Sequence, residues 1–234
     1  LPIYFSAWVS AGLRASGGRA SRRRAYFALD DPLSARLFAV GRTGDDFARL
    51  EKRLAATTLA LWNRKPRFRK LAMAPTPVPR RTSLAAGFIG LPETLPGFEG
   101  EAADFTYLAA VAHAGAHLVH STVRFPVGRL KALQLALVSL IEDARVETLA
   151  LREMPGLRRL WLPFHSATPS GQATAAGLMM RLARALIDPD YRDPDAWVGK
   201  GRQLFAAAAE RWTDPAISRE IGGLLGNDIG QMRL

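Results

Sequence analysis

Two consecutive helical segments, one carrying histidines and the next carrying acids, constrain the fold of this chain most. Three of its four histidines lie in residues 102–120, at i, i+4 and i+7 spacing. Glu142, Asp143 and Glu147 lie in the following segment, residues 128–154, which ends at a Pro-Gly pair. Because positions i, i+4 and i+7 share one face of a helix, the first helix can direct its imidazoles at the second. The pattern predicts two adjacent helices with nitrogen and oxygen ligands between them.

The rest of the chain is predicted to be helical, with one small β element. A helix from Asp45, after a break at Gly41–Gly44, is predicted from its amphipathic spacing. Further helices are predicted over residues 3–16, from Pro32 behind an Asp cap, over residues 170–187, up to Trp212, and from Asp214. Residues 83–93 are short and apolar and predict a strand or β-hairpin edge, whereas the prolines of residues 66–81 predict an extended linker. We therefore expect a mainly α fold, with a helical segment over residues 1–75 and a helical domain over residues 76–234.

His113 and His117 are candidate metal ligands. An H-x-x-x-H pair on one helix, followed by a carboxylate from a later helix, is the layout of gluzincin zinc sites. Glu142 is the predicted third ligand, and zinc is the candidate metal. His120, one turn after His117, is predicted to lie beside the site or at the surface. The alternative is a polar strip without metal, in which each ring is hydrogen-bonded within the packed helices.

The residue that activates water in such sites is absent. A metalloprotease helix reads H-E-x-x-H, and its glutamate is the general base. This chain has Ala114 at that position. Asp143 or Glu147 could replace the base geometrically, but a structural metal or a hydrogen-bonded remnant is the favoured interpretation. Without a metal the carboxylates need partners such as Arg145, because an unpaired buried charge is strongly unfavourable.

The charge of the chain suggests an acidic partner. The net charge is +11, and arginines and lysines are concentrated in two short stretches. We predict partner-binding residues in both stretches: Arg22, Arg23, Arg24, Arg64 and Arg67. An ordinary solvated surface is the alternative. Nucleic acid is a third class of partner, but no recognised binding motif accompanies the charge, so we expect none.

Several function classes lack their sequence signals. No phosphate-binding glycine motif is present, so this chain is not expected to hydrolyse ATP. No apolar run reaches the length of a membrane-spanning helix. The absence of cysteine excludes disulfides and thiolate metal sites and suits a reducing compartment, so we expect a cytoplasmic protein.

Three stretches carry a family resemblance. These are RRTSLAAGFIGLP, the long run from HAGAHLVH through LIEDARVE to LRRLWLPFH, and LLGNDIGQMRL. They resemble the NorD/CbbO family, whose members contain a von Willebrand factor A domain and work with MoxR-type AAA+ ATPases. The IEDARVE motif is also similar to CobT-like proteins and to zincin-like relatives. Those relatives carry H-E-x-x-H, so the resemblance does not bring peptidase activity to this chain.

The resemblance implies an accessory role and a degenerate zincin-like core. NorD-type proteins act in the activation of nitric oxide reductase, and CbbO-type proteins bring a hexameric ATPase to inhibited Rubisco. The adhesion-site motif of the von Willebrand domain, D-x-S-x-S, does not occur here. We therefore expect this chain to be the helical region ahead of that domain, cut from a longer polypeptide. The predicted function is a non-enzymatic adaptor of a MoxR-type ATPase and its client enzyme, and the alternative is a zinc-dependent hydrolase of variant gluzincin type.

Overall fold

The computed structural model confirms a mainly α fold with a small β element. It describes residues 2–71, 82–85, 87–93, 95, 98, 100–123, 126, 128, 130–170 and 174–232, apart from the side chains of 2–7 and 36–49. Helices make up 69% of the described residues, which contain nine α-helices and three strands that form one sheet. In that same part of the protein no helix has both the length and the apolar character needed to span a bilayer.

The N-terminal third consists of three helices. They are α1 (Pro2–Ser16), α2 (Ala20–Phe27) and α3 (Pro32–Trp62). The Asp31 carboxylate caps α3 by accepting from the backbone N–H groups of Leu33 at 2.8 Å and Ser34 at 3.3 Å. The predicted break at Gly41–Gly44 is wrong, because α3 runs through it without interruption. A glycine inside a helix costs only about 1 kcal/mol, which the packing of a long helix readily offsets.

The sheet has three short strands: β1 (Arg67–Leu71), β2 (Ser83–Ala85) and β3 (Phe88–Pro92). β2 and β3 form the predicted hairpin, whose turn includes Gly87 at a φ of 79°. β1 pairs in parallel with the other edge of β3. The linker prediction is therefore wrong over Arg67–Leu71, where pairing with β3 gives a charged segment its backbone partners. Residues 72–81 of that predicted linker lie outside the described residues.

The C-terminal two thirds contain the remaining helices: α4 (Gly100–His120), α5 (Ala132–Glu153), α6 (Arg158–Trp161), α7 (Ala175–Ile187), α8 (Ala196–Ala207) and α9 (Ala216–Gln231). Helix α5 packs most closely against α9. A Cβ atom added at Gly222 would lie 2.7 Å from the backbone of Val138, so a side chain there would prevent this approach. The glycine thus sets the distance between the two helices.

Apolar packing fixes the rotation of α4 and α5 about their own axes. On α5, Leu137 and Ile141 face α7, α8 and α9, while Val146 faces the opposite core with two tryptophans. Those tryptophans donate to backbone carbonyls of α4: Trp62 to Ala112 at 3.1 Å and Trp161 to Ala109 at 3.2 Å. With α4 held on these sides, its histidine face is directed at α5.

Candidate metal centre

The two histidines of the H-x-x-x-H pair meet on the face of α4 that is turned to α5. The Nε2 atoms of His113 and His117 are 3.0 Å apart, and their side chains are 27% and 14% exposed. The alanines at 112 and 116 are buried in the core on the other side of the helix. Two imidazole nitrogens this close share one proton or one cation, because two N–H groups facing each other would repel.

Asp143 of α5 completes a group that can hold a metal ion. Its Oδ1 atom lies 3.1 Å from Nε2 of His117 and 3.7 Å from Nε2 of His113. One ligand atom of each of the three residues lies within 4.8 Å of the others. The Asp143 side chain is 52% exposed, so an ion could reach the group from solvent. Two imidazoles and a carboxylate are a frequent set of ligands for zinc and similar metals.

Each imidazole is oriented through its other nitrogen. The Nδ1 atom of His113 is 3.1 Å from Oε1 of Glu147, and Nδ1 of His117 is 2.9 Å from Oγ of Ser121. Glu147 is buried, and it also lies 3.9 Å from Nε2 of His165. Metal-binding histidines are usually held in this way, because the second hydrogen bond fixes the tautomer and aims the free nitrogen at the metal.

The structure corrects the predicted third ligand from Glu142 to Asp143. Glu142 accepts from Arg145 through Nε at 2.7 Å and NH2 at 2.6 Å, from Ser218 at 2.7 Å and from Ser121 at 2.5 Å. Consecutive residues on a helix point about 100° apart, so only one of the two acids can face the histidine pair. The apolar packing of α5 gives that position to Asp143.

Among the described residues Arg145 is the largest fully buried side chain, and its hydrogen bonds join α5 to two other parts of the chain. Besides Glu142, it donates to the carbonyl of His120 at 2.8 Å and to that of Trp212 at 3.0 Å. Ser218 brings α9 to the same carboxylate. This cluster pairs a buried cation with a carboxylate, and Glu142 reaches the metal centre only through Ser121, which also contacts Nδ1 of His117.

The arrangement favours the charged forms of His113, Asp143 and Glu147. Burial lowers the pKa of His113, but hydrogen bonds and charges from Asp143 and Glu147 outweigh it and raise this pKa to about 10. Burial raises the pKa values of Asp143 and Glu147, yet hydrogen bonds and charges from the neighbouring histidines leave both below their ordinary range. The same negative charge that favours a proton on His113 would attract a metal cation.

His120 and Ala114 lie away from this centre. The ring of His120 packs edge-on against Trp62 at 6.2 Å, and its buried Nε2 has no hydrogen-bond partner among the described residues. Burial lowers the pKa of His120. Ala114 packs in an apolar cluster with Leu54 and Ile89. A carboxylate at position 114 would therefore begin inside the core between α3, α4 and β3.

Sequence reasoning missed two hydroxyl groups of the site. Ser121 follows His117 by one helical turn, a spacing that could have identified it as a hydrogen-bond partner. Ser218 is 76 residues from Glu142, and nothing in the local sequence points to their contact. The role of Ser121 could have been predicted from its spacing, whereas that of Ser218 depends on how α9 packs.

The predicted partner-binding arginines are exposed. The structure places Arg22, Arg23 and Arg24 on α2, Arg64 after α3, and Arg67 at the start of β1. Within the described part of the chain, none of these five side chains has a carboxylate within ion-pair distance. Their positive charge is therefore available to solvent or to a partner.

No family model, curated protein or solved structure matches this chain at a significant level. The fold and the site define it as a mainly α-helical protein in which a histidine-bearing helix and an acidic helix form a group that can hold a metal ion.

Proposed function

We propose that this chain is a non-enzymatic adaptor of a MoxR-type AAA+ ATPase, and that its histidine–aspartate centre holds a structural zinc ion. The NorD/CbbO resemblance supplies the class of partner. The client enzyme in that family is either Rubisco, as for CbbO-type proteins, or nitric oxide reductase, as for NorD-type proteins. Both roles require binding and remodelling rather than chemistry by this chain.

The packing of Ala114 is the observation that carries the non-enzymatic proposal. Hydrolysis at a zinc centre of this type needs a carboxylate that takes a proton from the metal-bound water. The side chain at 114 lies in an apolar cluster with Leu54 and Ile89. Glu147 is the nearest further carboxylate to His113, and it already accepts from Nδ1 of that ring. The candidate bases are thus either missing or committed to orienting a ligand.

Zinc fits the three candidate ligands best. Imidazole nitrogen suits zinc, copper, iron and nickel, whereas magnesium and calcium prefer oxygen ligands. His113, His117 and Asp143 would supply three of the four ligands of a tetrahedral ion. A zinc ion there would join α4 to α5, neutralise part of the acidic cluster and displace the shared proton.

The adaptor proposal is tested by mixing the purified chain with a MoxR-type ATPase from the same organism. We expect co-sedimentation and a changed rate of ATP hydrolysis. Replacing Arg22, Arg23 and Arg24 with Glu should abolish both effects. The matched control replaces three other exposed cations with Glu: Lys52, Arg159 and Arg192. This control should still co-sediment with the ATPase and change its rate of ATP hydrolysis. Equal binding by both triple variants would remove α2 from the docking surface, and no binding by the wild type would refute the adaptor role.

A zinc-dependent hydrolase of variant gluzincin type is the second candidate. The exposure of Asp143 favours it, because the metal would keep a position open to solvent and substrate. Stoichiometric zinc together with peptide cleavage, lost in His117→Ala, would establish this function. Stoichiometric zinc without cleavage is the result that the adaptor proposal predicts.

A further inference from the structure

A second site with different chemistry lies on the far side of α5. A cleft of about 340 Å³ opens between α5, α7, α8 and Trp212. Three arginines line it, Arg152, Arg158 and Arg202, and its other walls are mostly apolar. The aromatic part of the lining is Phe205 stacked on Trp212, with ring centroids 5.1 Å apart. The volume is within the range of ligand-binding clefts.

The protein holds the three guanidinium groups in place without neutralising them. Arg202 donates to the carbonyls of Tyr191 at 2.9 Å and Pro189 at 3.2 Å, and Arg158 donates to the carbonyl of Ile187. Arg152 lies over the Trp212 ring, 4.4 Å from its centroid. As far as the structure describes the chain, no carboxylate lies within ion-pair distance of any of the three. Each guanidinium therefore keeps N–H groups for an external anion.

The lining favours carboxylates attached to an apolar group over a nucleotide. A nucleobase is usually recognised by hydrogen bonds to its edge, but the carbonyls of Ile187 and Pro189 already accept from arginines. The Thr148 hydroxyl donates to the carbonyl of Ala144 at 2.7 Å. Positive charge beside an aromatic wall matches an acidic side chain next to an aromatic or aliphatic one, because arginine forks bind carboxylates and the rings pack on apolar groups.

We propose that this cleft binds an acidic segment of a partner protein, with its carboxylates on Arg152, Arg158 and Arg202 and an adjacent apolar side chain against the apolar wall of the cleft. The proposal uses none of the arginines of the proposed ATPase-docking surface on α2. It also does not depend on the metal centre. Failure of the adaptor role and failure of this site are therefore distinguishable.

The test selects peptides from a phage-displayed library of random dodecapeptides on the full chain. Enriched peptides are then synthesised with a fluorescent label, and their affinities are measured by anisotropy. Arg152→Gln is the main variant, because its contact in the structure is with an aromatic ring and its loss leaves no carbonyl without a donor. Arg202→Gln is the second variant. Arg159→Gln is the matched control, an exposed arginine next to Arg158 that does not line the cleft.

We expect enrichment of peptides that combine Asp or Glu with an aromatic or aliphatic residue. Their affinity should fall about tenfold or more in Arg152→Gln, the loss expected for one charged hydrogen-bonding partner, and stay unchanged in Arg159→Gln. Replacement of the peptide acids by Asn or Gln should have the same effect as the arginine variants. Three outcomes would overturn the proposal: enrichment without acids, equal binding to Arg152→Gln, or displacement of the peptides by ATP or ADP.

Discussion

Glu142 and Asp143 are neighbours in the sequence, but they belong to two different surfaces of α5. The closed face consists of Glu142 and Arg145 with Ser218 of α9, and the open face consists of Asp143 and Glu147 with His113 and His117 of α4. On the closed face the cation is fully buried and each partner is a hydrogen-bonding protein group. On the open face the carboxylate is 52% exposed and two imidazole nitrogens face each other.

Neighbouring acids of one motif can therefore have different roles. Glu142 stabilises the packing of α5, whereas Asp143 is placed to bind a ligand. A buried ion pair with all its hydrogen bonds made has nothing left to offer a ligand, and removing one partner leaves an uncompensated charge. Replacing a partly exposed carboxylate beside two imidazoles costs little free energy of unfolding, but such a carboxylate can bind a metal ion together with the imidazoles. The two faces should therefore respond in opposite ways to mutation and to zinc.

The largest expected effect is the loss of Glu142. Glu142→Ala leaves Arg145 buried without its carboxylate and should lower the free energy of unfolding by about 3–5 kcal/mol. Asp143→Ala, one residue further on, should cost less than about 1 kcal/mol, because half of the Asp143 side chain is exposed to solvent. Urea unfolding of both variants measures the difference. Equal losses would abolish the distinction between the faces.

Zinc should stabilise the open face and leave the closed face unaffected. A ligand present at a hundred times its Kd raises the free energy of unfolding by about 2.7 kcal/mol, which appears as an increase in Tm. The increase should vanish in His117→Ala and in Asp143→Asn. His120→Gln is the control, because His120 lies outside the site, and it should retain the increase. A zinc response that survives Asp143→Asn would contradict the assignment.

Gly222 tests the packing that determines which acid faces which way. Gly222→Ala puts a methyl group 2.7 Å from the Val138 backbone and should cost about 1–3 kcal/mol by overpacking. Gly223→Ala is a matched control, since nothing lies within 4 Å of its added Cβ. Gly223→Ala should leave the stability unchanged or raise it slightly, because alanine has a higher helix propensity than glycine. Similar melting temperatures for the two variants would show that α9 does not fix α5.

The smallest expected effect is a pH dependence of the closed face. Burial raises the pKa of Glu142, but hydrogen bonds from Arg145, Ser121 and Ser218 outweigh it and leave that pKa below the ordinary value of 4.5. A lowered folded-state pKa stabilises the protein above pH 4.5, and this contribution is lost as the pH falls further. The stability gap between wild type and Glu142→Gln should therefore narrow below pH 4.5. A gap that stays constant through this pH range would refute the account.

The sequence predicted local elements better than their arrangement. The helices around the histidines and acids, and the β2–β3 hairpin, followed from spacing and turn residues. β1 was missed because a short charged strand has backbone partners only after β3 is placed beside it. The break at Gly41–Gly44 was wrong because a local glycine signal was weaker than the packing of one long helix.

The same limit explains the third ligand. Helical spacing predicted that His113 and His117 share a face, and their Nε2 atoms meet. Choosing between Glu142 and Asp143 required the rotation of α5, which depends on contacts with α7, α8 and α9 that lie far away in the sequence. The sequence analysis predicted that these carboxylates need partners such as Arg145, and Glu142 has that arginine as its partner.

The most direct test of the division between the two faces is a crystal structure with zinc, in which anomalous scattering locates the ion. We predict one peak within bonding distance of Nε2 of His113, Nε2 of His117 and the carboxylate of Asp143. Glu142 should still accept its hydrogen bonds from Arg145. A peak bound by Glu142, or no peak at this centre at saturating zinc, would contradict the account.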